Sequence, residues 1–239
     1  MTPQLNEIWV YLSASPLLGL TITLLAYQAA FWLYRRSGLN PLVNPVLVAV
    51  TILVLLLTLT GTSYETYFAG AQFVHFLLGP ATVALAIPLF LQFRRVRSML
   101  LPVAAGLLAG SLTAALSAIA IARLFGASLP TQLSLAPKSV TTPIAMGIAE
   151  RIGGIPSLTA VLVIVTGILG AVSGRYVLDA IKVCDPAIRG FAIGVAAHGI
   201  GTARAFQVSE QAGAFAALAM GLNGALTALL LPLLVGWMR

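Results

Sequence analysis

LAPKSVTTPIAMGIAE, residues 135–150, interrupts a chain that otherwise reads as hydrocarbon, and its reading decides the fold. Between Pro137 and Pro143 it crowds Lys138, Ser139, Thr141 and Thr142. As a helix, 137–149 would reach about 20 Å, against a hydrocarbon core of roughly 30 Å. It is too short to cross alone. If the whole of 128–150 crosses, then Arg175, Lys182 and Arg189 fall outside. If it enters and returns on one side, they fall inside, which the positive-inside bias favours. We read the segment as re-entrant or broken.

Composition supports a membrane setting for it. The 239 residues are 59% hydrophobic and 8% charged, with a mean hydropathy of +1.01. Soluble domains carry about 25% charged residues, so a soluble fold of this length would lack polar surface to cover its core. The net charge of +7 gathers at span ends, as in Arg35-Arg36 and Arg94-Arg95-x-Arg97. Such clusters are cytoplasmic topology signals, too few and scattered to grip nucleic acid. Cys184 is the sole cysteine, which excludes an intrachain disulfide and a cysteine-cluster metal site; it is expected to be a buried free thiol. Residues 1–8 lack the basic start of a cleavable signal, so the first apolar run is expected to be a retained span.

The expected fold is all-α: one polytopic transmembrane domain over 1–239, a bundle of about 7–8 hydrophobic segments. They fall near 9–34, 41–60, 68–93, 99–125, 137–149, 155–178, 187–206 and 213–237. The stretch GTSYETY, 61–67, reads as a polar external loop carrying Glu65. With both arginine clusters cytoplasmic, the N-terminus lies outside.

An internal repeat is expected as well. LGPATVALAIPL (78–89) lies over LAPKSVTTPIAM (135–146), matching Leu78 with Leu135, Pro80 with Pro137 and Thr82 with Ser139. The same offset pairs Gly110 with Gly167, which frames repeat units 78–124 and 135–180. HGIGTARA (198–205) is a looser third copy, framing 198–237. Ala81 stands where Lys138 stands in the second copy, so the first copy is expected to be scaffold or substrate wall and not an anion site.

The second break is expected around 194–206, where Gly194, Gly199 and Gly201 surround His198 and Thr202, with Arg204 following. Intramembrane cations are costly and mark functional sites or buried pairs. Lys138 would either snorkel at an interface or line an anion site, to which Ser139, Thr141 and Thr142 add hydroxyls. Pro143 removes a backbone donor, and a half-helix start there would offer unpaired N–H groups and a favourable dipole. Arg204 presents a planar fork suited to carboxylates, or else pairs with Glu210 or Asp185. His198 would relay protons or simply pack.

Enzyme chemistry is not expected. The chain has no HExxH, GxSxG or GxxxxGK[ST] motif and no paired intramembrane carboxylates. GIGTAR follows no strand, so it is no dinucleotide fingerprint. No cofactor and no metal site is expected.

LAPKSVTTPIA, ERIGGIPSLTAV with VTGILGAVSG, and D-x-x-x-RGFAIGVAAHGIGTARA with GAFAALAMGLNG resemble the LrgB/CidB family. The similarity covers most of the chain and is clearest from about 130 to 230. It implies a multi-pass protein of the bacterial cytoplasmic membrane, often paired with a smaller holin-like partner and linked to modulation of murein hydrolase activity and autolysis. It also implies kinship with the membrane half of the plastidic glycolate/glycerate translocator, and hence movement of small carboxylates such as pyruvate or lactate.

Holin-type lesions need no deep cation with hydroxyl donors, whereas a carboxylate carrier needs broken helices and a cation near the midplane. The expected function is therefore secondary transport of small monocarboxylates. Lys138 or Arg204 would neutralise the carboxylate, while Ser139, Thr141, Thr142 and Thr202 bind it or a substrate hydroxyl. His198 or Glu210 would carry a coupled proton. A homodimer is expected by analogy with other carriers. The alternatives are an autolysis regulator acting with its small membrane partner, and a purely structural membrane subunit.

Overall fold

The structure is a computed structural model that describes residues 16–238; the expected absence of a signal and the start of the first span near residue 9 lie outside them. Every regular element among the described residues is helical. The chain divides into two compact units, 1–84 and 85–239.

In the first unit, α1 (Pro16–Arg36) ends on Arg35 and Arg36, the signal that closed the first span. A 3₁₀ turn at Pro41–Val43 leads to α2 (Pro45–Thr60), whose start Asn44 caps by accepting from the Val46 and Leu47 N–H groups. Gly61, at φ 64°, ends it. Helix α3 (Tyr64–Phe76) takes in most of the stretch expected to be a loop, leaving 61–63 as the connection. It seats its backbone against Gly19 of α1, where a Cβ would lie 2.5 Å from the Tyr67 carbonyl oxygen.

The expected single segment 68–93 is a run of short helices instead. It comprises α3, α4 (Leu78–Ala84) and α5 (Ala86–Leu91), with α6 (Phe93–Ser98) carrying the arginine cluster. Pro80 and Pro88 remove one backbone donor each, which accounts for the failure to form one long helix.

In the second unit, α7 (Leu100–Leu124) and α10 (Pro156–Ala180) are uninterrupted 25-residue helices. With α12 (Glu210–Met238) and α1, they supply four stretches long and apolar enough to cross a membrane among the described residues. Between α7 and α10 lie α8 (Leu129–Leu135) and α9 (Thr142–Ile152), separated by turns at 136–141. The Lys138 N–H donates to the Leu135 carbonyl and the Val140 N–H to that of Pro137. The Ile155 N–H donates to Ser134 Oγ at 2.8 Å, and Thr159 Oγ1 donates to the Ser134 carbonyl at 3.1 Å. The chain that leaves at Ser134 thus returns to it at Ile155. Residues 135–154 are an excursion that closes on its own entry point.

Helix α11 (Pro186–Val208) contains a second reversal at His198. A Cβ on Gly201 would lie 3.1 Å from the Ile193 carbonyl oxygen. Eight residues of straight helix would separate those positions by about 12 Å, so the limb 199–208 folds back along 186–197. Helix α12 then runs parallel to the first limb. A Cβ on Gly190 would meet the Ala212 carbonyl oxygen at 2.0 Å, and one on Gly194 that of Ala216 at 2.2 Å. Only glycine admits backbones this close. Asp185 caps α11, accepting from the Ala187 and Ile188 N–H groups and pairing with Arg95.

The two excursions enter from opposite ends of α10. The first closes at Ile155 and Thr159, where α10 begins; the second opens beyond Ala180, where α10 ends. The expected repeat stays a pattern in the sequence. Gly110 and Gly167 both pack on α11, against Val195 and His198, yet unit 78–124 straddles the division between the two compact units. The side chain of Thr82 lies outside the description.

Candidate functional site

The tips of the two excursions meet on one side chain that the sequence reading passed over. Asn223 of α12 is 1% exposed. Its Nδ2 donates to the Ser139 carbonyl at 3.1 Å, in the first tip, and to the Val195 carbonyl at 3.0 Å, just before the second. Its Oδ1 accepts from Ser111 of α7 and, at 3.4 Å, from Thr227. Breaks in a helix leave carbonyls without intrahelical donors, and one amide satisfies a carbonyl from each. The available clue was the lone Asn in the apolar run GLNGALTALL (221–230).

Lys138 stands at the first tip, half-buried. Its Nζ donates to Ser139 Oγ at 3.3 Å, and no ion pair among the described residues includes it. It faces a cavity of about 600 Å³ walled by α7, α10 and α11, where Gly106, Gly110, Thr166, Gly170 and Val195 border Lys138 and Ser139. Glycine on α7 and α10 lets these helices close on α11: Cβ atoms on Gly110 and Gly170 would meet Val195 and Ala197 at 2.9 and 2.5 Å.

His198 forms the second tip with φ 41° and ψ −132°, a conformation that favours glycine and costs a side-chain-bearing residue strain. The surroundings hold it there. Its Nε2 lies 3.0 Å from the Val163 carbonyl oxygen, Thr202 Oγ1 donates to its own carbonyl at 2.7 Å, and the ring packs where Gly167 has no side chain.

The other expected site residues divide. Ser139 lines the cavity. Thr202 is buried beneath His198, turned to its carbonyl and to the Met220 sulfur at 3.8 Å. Thr141 is the N-cap residue of α9 without a side-chain capping bond, and Thr142 follows it; both are half-buried, and neither lines the Lys138 cavity. Arg204 does not join Lys138. The fold-back at His198 carries it to a different cavity, with Arg175, Arg189 and Cys184, and its Nη1 donates to Gln207 Oε1 at 3.2 Å. Asp185, one of its expected partners, pairs with Arg95. Glu210 is exposed at the first turn of α12, away from both tips. Cys184 is exposed, not buried, because it sits in the connection 181–185.

Asp185 lies outside the spans, and its carboxyl is held below the usual carboxylate range. Desolvation, the largest single influence, opposes this, but the Ile188 and Ala187 N–H groups and the Arg95 guanidinium together outweigh it.

The arrangement offers an ammonium and a hydroxyl on a cavity of about 600 Å³ beside the tip of the first excursion. The model of the LrgB-like family matches residues 23–237. The chain is 36% identical over 214 residues to "Uncharacterized protein YxaC" of Bacillus subtilis (strain 168), covering 90% of this chain and 93% of that protein. It is 36% identical over 222 residues to "Uncharacterized protein YwbG" of the same organism, covering 93% and 98%. Over 219 residues it is 29% identical to "Antiholin-like protein LrgB" of Bacillus cereus (strain B4264), covering 92% and 95%. No solved structure matches the chain.

Proposed function

This membrane chain belongs to the LrgB-like family, and within that family we propose that it is a carrier of small organic monocarboxylates, of the glycolate, glycerate, lactate or pyruvate type. One observation carries the reading: Lys138 is half-buried at a re-entrant tip, in no ion pair among the described residues, and faces a cavity. An ammonium in such a place is stabilised by an anion, and a transported carboxylate is one that can leave. Tips entering from opposite ends of α10 support the same reading, because discontinuous helices from opposed elements frame the central sites of many carriers. In the proposal Lys138 neutralises the carboxylate, Ser139 hydrogen-bonds it, Thr141, Thr142 and Thr202 shape the tips, and His198 is the proton-coupling group. The protein would reside in the bacterial cytoplasmic membrane, N-terminus outside, as a homodimer.

The name "Antiholin-like protein LrgB" favours an antiholin-like role more directly, and the second reading is therefore a modulator of murein hydrolase activity and autolysis that acts with a small membrane partner. No relative named above is called a transporter. Reconstitution separates the two. Purified protein alone in vesicles should give saturable uptake of labelled glycolate, lactate or pyruvate, and Lys138→Gln should lower it by roughly tenfold or more, the equivalent of about 1.4 kcal/mol. Absence of saturable uptake by the wild type sinks the carrier. An autolysis phenotype that needs the small partner but tolerates Lys138→Gln would establish the alternative.

A further inference from the structure

The cavity that receives Arg204 is separate from the Lys138 site and has its own chemistry. It measures about 490 Å³ and brings together Arg175 near the end of α10, Arg189 near the start of α11 and Arg204 on the returning limb. Arg204 joins the other two because α11 reverses at His198. Arg175 and Arg189 share one carboxylate, Asp179, at 3.6 and 2.6 Å. One acid for two guanidinium groups leaves cationic character facing the cavity, and Arg204, whose Nη1 also donates to Gln207 Oε1, borders it as well. The floor is apolar, formed by Ala171, Ile193 and Ala212. Beside it lies the connection 181–185, at the end of a helix long enough to span, which is the level of lipid headgroups.

We propose that this cavity binds a phosphate-bearing anion, and that its occupant is the headgroup of an anionic phospholipid. Guanidinium forks match phosphate oxygens in pairs, and basic pockets between helices at a membrane interface take phospholipid headgroups. The apolar floor favours a lipid over free phosphate, since a glycerol backbone and the first methylenes would cover it.

Cys184 lines the cavity, is exposed, and is the chain's only cysteine, so it reports occupancy. The full-length protein in delipidated detergent is alkylated with N-ethylmaleimide and the rate followed by mass spectrometry. Dioctanoyl phosphatidylglycerol should slow labelling saturably, by about tenfold at ten times its Kd. Dioctanoyl phosphatidylcholine should do so far less. Arg175→Gln with Arg204→Gln should abolish the protection; the milder Arg204→Lys keeps the charge, loses the fork, and should weaken it in a protein that still folds. Protection by inorganic phosphate alone would keep the phosphate site but overturn the lipid assignment. Equal protection by both lipids, no protection at all, or protection that survives the arginine substitutions would overturn the proposal.

Discussion

Asn223 is the residue on which the centre of the second unit depends. Removing its amide strips a donor from the Ser139 and Val195 carbonyls and an acceptor from Ser111. A buried polar group left without a partner costs about 1–3 kcal/mol. Asn223→Ala should therefore lower the thermal midpoint in detergent by several degrees. Asn223→Asp keeps the acceptor and loses both donors, so it should fall nearly as far; a midpoint equal to wild type would show that the donors contribute nothing. Asp185 gives a pH-dependent case. Its folded pKa lies below the ordinary value near 3.9. A group depressed on folding stabilises above its unfolded pKa, and that contribution is lost as pH falls through the folded value. The midpoint difference between wild type and Asp185→Asn should be present at neutral pH and shrink below about pH 4. A difference independent of pH would assign the effect to the α11 cap alone.

At the scale of elements, both excursions rest on glycine and proline, and this governs what the sequence reveals. Pro137 and Pro143 around Lys138 made the first break legible, because proline denies the helix its donors and a buried charge demands a reason. The glycines around 194–201 located the second break, but not its form. The reversal falls on His198, a residue whose type does not announce a positive φ. Missing the form of that fold-back left Arg204 a candidate for the same carboxylate as Lys138, although the returning limb carries it to another cavity. Asn223 escaped for another reason: its partners are backbone carbonyls far away in the sequence, which no local spacing encodes. The α11–α12 contact offers a sharp test. Gly194→Ala drives a Cβ into the Ala216 carbonyl and should cost about 1–3 kcal/mol or more, whereas Gly199→Ala meets only Met220 Sδ at 3.9 Å and should be tolerated. Comparable midpoints for the two variants would refute close backbone packing as the organising contact.

In the unit spanning 85–239, the two excursions open at opposite ends of α10. Cys184 marks one end; Ser157, exposed at the other, accepts a cysteine in a Cys184→Ser background. A membrane-impermeant maleimide should label the two thiols from opposite faces of oriented vesicles. Labelling from a single face would mean that α10 does not cross. The first unit is built differently, with helices closed by caps at Asn44 and Gly61, and holds none of the residues that meet at the tips. In the second, Asn223 binds a carbonyl of each tip through one nitrogen. Such a joint is an interlock: neither tip can withdraw without breaking a bond on the nitrogen that also holds the other.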